Sequence, residues 1–135
     1  RLIRSLLPDA YLFELGTAPA FGATDLGPRY RSLAGRTSLL EFAAAVRGAD
    51  LFIGPVSSGL HLAAAFDVRS VAIFGGYEHP DGIDYPRMIP FYSPVPCAPC
   101  WLDTGCPYAL RCLTAIEPET VRAAAGRLLA GRPTR

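Results

Sequence analysis

Apolar residues along this chain fall into short continuous runs closed by glycine and longer runs with helical spacing, and the two kinds alternate. Tyr11 to Leu15 (YLFEL) reads as a buried strand ending at Gly16, Leu51 to Ile53 as a strand ending at Gly54, and Ser70 to Phe74 as a strand ending at Gly75-Gly76. Leu39, Leu40, Phe42, Ala43 and Val46 recur on one face of a helix that stops near Arg47-Gly48. Thr37 or Ser38 caps that helix, and Glu41 stands in capping-box position relative to Ser38. Leu60, Leu62, Ala63, Ala64 and Phe66 give the apolar face of another helix, which begins at Ser57, Ser58 and Gly59. Glu117 to Leu129 predicts a last helix, with Pro118 in its first turn, acidic residues at its amino end, and Gly131 and Pro133 to terminate it. Arg1 to Leu7 resembles a helix tail stopped by Pro8-Asp9, and Tyr30 to Leu33 a short extended piece. Thr17 to Pro28 reads as a loop, and Tyr77 to Arg111, dense in Pro, Gly, aromatics and Cys, as a long loop region with little regular structure.

Strands that alternate with helices predict an α/β fold, a Rossmann-like parallel sheet with flanking helices. Right-handed crossovers then place ligands at the carboxyl ends of the strands, with the candidate loops on one rim. The turn after Ile53 is the clearest such place. Ser57, Ser58 and Gly59 stand where free backbone N–H groups and the positive end of a helix dipole point outward, and their small side chains let an anion approach closely. His61 follows in the first turn.

Half of the 135 residues are apolar, enough for the core of one domain. A net charge of +1 with both signs scattered marks neither a nucleic-acid surface nor a polybasic membrane patch, so a small-molecule ligand is favoured. All 13 basic residues are Arg, which excludes lysine Schiff-base or nucleophile chemistry and leaves Arg for any cationic clamp. No apolar run approaches the roughly twenty residues of a membrane span. A cytoplasmic location is expected, compatible with peripheral attachment at the inner membrane. An opening at Arg1, part-way through a helix, leads us to expect a fragment whose amino-terminal domain is missing.

Four blocks in order, GRTSLLEFAAAVRGADLFIGP (Gly35 to Pro55), GLHLAAA (Gly59 to Ala65), VAIFGG (Val71 to Gly76) and CAPCW with a later CL, IEPE and V (Cys97 to Val121), resemble the carboxyl-terminal half of glycosyltransferase family 9, the ADP-heptose:lipopolysaccharide heptosyltransferase group. The resemblance covers most of the chain. It implies the GT-B architecture, two Rossmann-like domains facing a cleft, with residues 1–135 as a single nucleotide-sugar-binding domain carrying a Pro/Cys-rich loop region at 77–116. By the same resemblance, backbone groups of Ser57, Ser58 and Gly59 hold the donor's diphosphate with His61 beside it, and Thr37, Ser38 and Leu39 line part of the nucleotide pocket. The family often has an acidic residue at the head of this loop, where this chain has Val56.

The implied reaction moves a heptose-like sugar from a nucleotide-diphosphate sugar to a hydroxyl of a glycan or lipid-linked acceptor, in lipopolysaccharide or cell-surface glycan assembly. Helix-terminal N–H groups stabilise the departing diphosphate, so no cofactor is required for catalysis, and the general base is expected in the absent domain. The domain alone is expected to be inactive. A non-catalytic nucleotide-binding or cysteine-stapled interaction module, and another GT-B or epimerase-like nucleotide-sugar enzyme, are the alternatives.

Several of these residues also have a plainer use. His61 can be satisfied by the backbone, Ser57 and Ser58 can serve only as a helix cap, and Glu41 only as a capping-box partner. Glu14, at a strand end, is a candidate for a ribose hydroxyl. Cys97, Cys100, Cys106 and Cys112 have the spacing C-x2-C-x5-C-x5-C, which permits a structural zinc or iron, reduced buried thiols or disulfides. The loop of Tyr77, Glu78, His79, Asp81, Asp84, Tyr85 and Arg87 follows the Gly75-Gly76 strand end and is a candidate for contact with donor or acceptor, a solvated loop being its plainer reading.

Overall fold

The computed structural model describes residues 2–6, 8, 10–20, 26–102 and 105–131. Arg1 and Leu7 of the expected helix tail, Asp9, residues 21–25 of the Thr17 to Pro28 loop, and Pro133 lie outside the described residues. Two compact units, Arg1–Ala45 and Val46–Arg135, make up the chain.

In the first unit, helix α1 (Leu2–Leu6) precedes strand β1 (Leu12–Glu14), which pairs in parallel with β2 (Tyr30–Ser32), Leu12 opposite Tyr30 and Glu14 opposite Ser32. Backbone bonds from Leu33 N to Glu14 O (2.9 Å) and from Gly35 N to Gly16 O (2.8 Å) carry the pairing past the strands. Gly35 has φ of +69°, and a β-carbon there would stand 3.0 Å from the Thr17 carbonyl, so only glycine lets these backbones meet. Tyr11 and Phe13 are exposed rather than buried. A two-stranded ladder buries far less than a central strand does, and Tyr11 instead carries the Arg29 guanidinium 5.6 Å from its ring centre.

Helix α2 (Leu39–Gly48) starts as its sequence predicts. Ser38 N donates to Glu41 Oε2 at 2.8 Å and Glu41 N donates to Ser38 Oγ at 3.3 Å, the two halves of a capping box. Leu39 and Leu40 are exposed, whereas Val46 is buried. Helical spacing marks an apolar face without supplying a partner for every turn of it.

The second unit is built on β3 (Phe52–Pro55), β4 (Ser70–Gly75) and β5 (Met88–Tyr92), all parallel, with β4 in the centre. Helix α3 (Ser58–Ala65) connects β3 to β4 and sets fully buried Leu60 against Ala72 and Phe74 of β4. Phe52, Val56, Ile83, Tyr85, Met88 and Tyr92 complete that cluster. Val71 alternates to the opposite face of β4 from Ala72 and is also buried. Helix α5 (Pro118–Ala130) packs on β4 through an edge of small residues, burying Val121, Ala124 and Ala125. A central strand covered on both faces is why SVAIFG is apolar without alternation.

Three features depart from the sequence reading. The parallel strands form two ladders, β1-β2 and β3-β4-β5, where alternation predicts one sheet. The region expected to lack regular structure contains β5, a 3-10 turn at Pro80–Gly82, and the single turn of α4 (Arg111–Thr114). Pro90 conceals β5, because a residue without an N–H demotes a run as a strand; an edge strand tolerates it, and β5 is an edge of its sheet among the described residues. Phe66 caps the end of α3 and is exposed rather than packed.

Candidate functional site

At the carboxyl end of β3 the chain turns through Val56 and Ser57 into α3. Ser57 is the N-cap in extended conformation (φ −160°, ψ 174°), and its carbonyl accepts from Leu60 N at 3.0 Å and His61 N at 3.3 Å. Its side chain does not cap the helix; Ser57 Oγ instead donates backward to Pro55 O at 3.3 Å. An N-cap serine normally spends its oxygen on the first amides of the helix. Here the N-cap side chain makes no bond to those amides at the positive end of α3. Gly59 and Leu60 behind the turn are buried, so the core holds its backbone in place.

His61 sits one helical turn beyond Ser57, and a helical side chain leans back over the preceding turn. Its Nδ1 lies 2.7 Å from the hydroxyl of Tyr85, with the two rings edge to face. His61 is therefore bound by a side chain rather than by the backbone. The sequence places Tyr85 in a loop that is a candidate for contact with donor or acceptor, or is simply solvated, and no local signal announces its pairing with His61. The rest of that loop is also tied down: His79 Nδ1 accepts from Asp81 N at 3.3 Å, His79 meets the Tyr92 ring edge to face, and Arg87 pairs with Asp67 at 2.8 Å. A hollow of about 370 Å³ lies between this loop and β5, lined by Asp81, Asp84, Tyr85, Met88 and their neighbours.

A smaller cleft, of about 180 Å³, opens at the carboxyl ends of β3 and β4 between Pro55, Val56, Ile73, Phe74, Tyr77 and Glu78. Val56 joins this cleft directly to the turn at Ser57. Its apolar side chain packs on the Leu60 cluster, so the head of the turn carries no charge.

The remaining candidates belong to the first unit. Glu14 spends its carboxylate locally: Oε1 accepts from Ala20 N at 2.6 Å, and Oε2 accepts from the hydroxyls of Tyr30 (2.6 Å) and Ser32. It thereby stitches the loop after β1 to β2. Burial and the bond to Glu14 raise the Tyr30 hydroxyl above its usual pKa. The Ser38 hydroxyl is engaged with Glu41, to which it also donates at 2.7 Å; Thr37 is half-buried and Leu39 is exposed.

The four cysteines are free and half-buried. Arg111 Nη2 donates to Cys97 Sγ at 3.7 Å and Tyr108 N to Cys106 Sγ at 3.4 Å, while Cys112 lies against Gly75 and Gly76. Among the described residues no group of three or more His, Cys, Asp or Glu side chains is placed to hold a metal ion. The spacing that permits coordination is thus not matched by convergence of the thiols.

The family model for glycosyltransferase family 9 (heptosyltransferase) matches residues 22–83, a segment that contains α2, β3, α3 and β4. The resemblance read from the sequence is borne out on those elements. No curated protein matches the chain. Among solved structures it is similar to the dodecameric iron-containing heptosyltransferase TibC in complex with ADP-D-beta-D-heptose, with a TM-score of 0.75 and 20% identity over 98% of this chain and 41% of that one. The α/β fold is accordingly that of part of a heptosyltransferase, and the chain spans 41% of that structure's length. No helix among the described residues is long and apolar enough to cross a membrane.

Proposed function

We propose, for a chain whose central elements match glycosyltransferase family 9, that it forms the donor-binding part of a glycosyltransferase. The donor is a nucleotide-diphosphate sugar with a heptose-like sugar, and the acceptor is a hydroxyl of a glycan or lipid-linked glycan in lipopolysaccharide or cell-surface assembly at the cytoplasmic side. One observation carries the reading: the N-cap serine of α3 turns its hydroxyl away and leaves the first amides uncapped at the end of a parallel strand. Those amides and the helix dipole suit the donor's diphosphate. During transfer the acceptor oxygen bonds to the sugar's anomeric carbon while the bond from that carbon to the diphosphate oxygen breaks. The nucleoside diphosphate leaves with the electron pair, its growing charge met by the amides of Ser58 and Gly59. A base from outside residues 1–135 takes the acceptor's proton. His61, one turn along, lies beside the same charge. In the first unit, Glu14 is taken up by its own local network.

Melting of the intact protein with ADP-D-β-D-heptose, ADP and free heptose tests this, because a ligand that binds only the folded state raises the melting temperature. The donor and ADP should each raise it, and free heptose should not. If neither diphosphate does, the reading fails. Val56 favours a second reading, a nucleotide-binding module without transfer, since no carboxylate heads the turn. Sugar transfer by the intact protein, compared with its Val56→Asp variant, separates the two; binding without transfer in both supports the module.

A further inference from the structure

Trp101 is the chain's one tryptophan, and it is 59% exposed. Its backbone has φ of +48°, the left-handed region that bulky residues avoid because of steric cost. Two hydrogen bonds hold it there: Cys100 N donates to Gly76 O at 3.0 Å and Trp101 N donates to Tyr77 O at 3.2 Å. The cysteine-rich segment is laid closely on the end of β4, for a β-carbon at Gly76 would meet Cβ of Cys112 at 3.0 Å and Cβ of Ala98 at 3.1 Å. The Trp101 ring rests edge to face on that of Tyr77, centroids 5.2 Å apart, and Tyr77 is itself 43% exposed. Tyr77 lines the small cleft whose other wall, Val56, leads straight into the turn at Ser57.

Large rings are usually buried, and a pair held out on a pinned backbone beside a concavity is arranged to meet something flat. We propose that Tyr77 and Trp101 form an aromatic ledge that receives the face of a ring attached to the diphosphate. This rests on the donor-site reading above. A nucleotide sugar carries rings on both flanks of its diphosphate, a planar base and a sugar with an apolar C–H face, and either face stacks on an aromatic side chain. The ledge adjoins the diphosphate turn through Val56, so the ring it takes is covalently close to the phosphates.

Tryptophan emission reads the ledge directly. In the intact protein, with a Trp101→Phe variant supplying the background, titration with ADP-D-β-D-heptose should change the Trp101 signal saturably. Trp101→Ala and Tyr77→Ala should each weaken donor affinity by about tenfold or more, while Trp101→Phe keeps most of it. ADP producing the full change assigns the ledge to the base; a change that needs the attached sugar assigns it to the sugar. If the donor raises the melting temperature of wild type and Trp101→Ala alike and the emission does not respond, the ledge is wrong and the donor site stands. If no diphosphate raises the wild-type melting temperature, both fall. Emission that follows protein concentration but not donor would overturn the ledge in favour of contact between copies.

Discussion

The Tyr85 hydroxyl lies 2.7 Å from Nδ1 of His61, joining the loop ahead of β5 to the first turn of α3. The Tyr85 ring also packs on the Leu60, Ala72 and Phe74 cluster, so the core aims the hydroxyl. The direction of this bond and the tautomer of a neutral His61 ring are coupled, since Nδ1 accepts from the hydroxyl when the ring proton sits on Nε2 and donates to it otherwise. The bland expectation for His61, a backbone-satisfied ring, is replaced by a ring oriented from a distant loop.

Tyr85→Phe keeps the ring and removes only this bond. It should cost about 1 kcal/mol and redistribute the His61 tautomers, visible as altered imidazole nitrogen-15 shifts in mildly alkaline buffer. Unchanged shifts would mean that the hydroxyl does not set the tautomer.

Among the described residues Leu60 is the largest fully buried side chain, and it stands directly behind the turn. Leu60→Ala should destabilise the chain by about 2–5 kcal/mol, whereas Leu60→Met, which keeps the volume, should cost less than about 1.5 kcal/mol. Urea unfolding of the two variants measures the difference; equal losses would show that this cluster is not tightly packed.

Gly75 has φ of +61°, and a β-carbon there would stand 2.6 Å from Cδ2 of Leu113. Gly75→Ala should therefore lose about 1–3 kcal/mol through backbone strain and collision together. Adding Leu113→Ala should return the collision part only, so the double variant melts above the single one but below wild type. A double variant no better than Gly75→Ala would assign the whole loss to the backbone.

Bonds from the backbone and hydroxyl of Ser38 hold the Glu41 carboxyl below its usual pKa of 4.5. A carboxyl lowered by folding stabilises the folded state above its unfolded value, and that contribution disappears as pH falls through the folded value. Glu41→Gln should thus melt slightly below wild type at neutral pH, with the gap closing in acid. A gap that persists below the carboxylate range would place the effect outside this ionisation.

The turn at Ser57, Ser58 and Gly59, the capping box at Ser38 and the apolar strand β4 are legible in the sequence because each depends on neighbours within a turn or a strand. Ser57 shows the limit of such reading. A serine at a helix start signals a cap, yet the fold sends its hydroxyl to Pro55 and leaves the amides open. Glu14 shows it again, since a carboxylate at a strand end looks available until Tyr30 and Ser32 close on it.

By itself the sequence determined the alternation of strands and helices, the position of the small-residue turn and the kinship of the central elements, all of which rest on short-range spacing. The tertiary structure alone decided that β5 joins the sheet despite Pro90, that Tyr85 meets His61 across 24 residues, and that Trp101 leans on Tyr77 beside the cleft. Those pairings have no local signal because they exist only once packing against β4 has brought distant segments together.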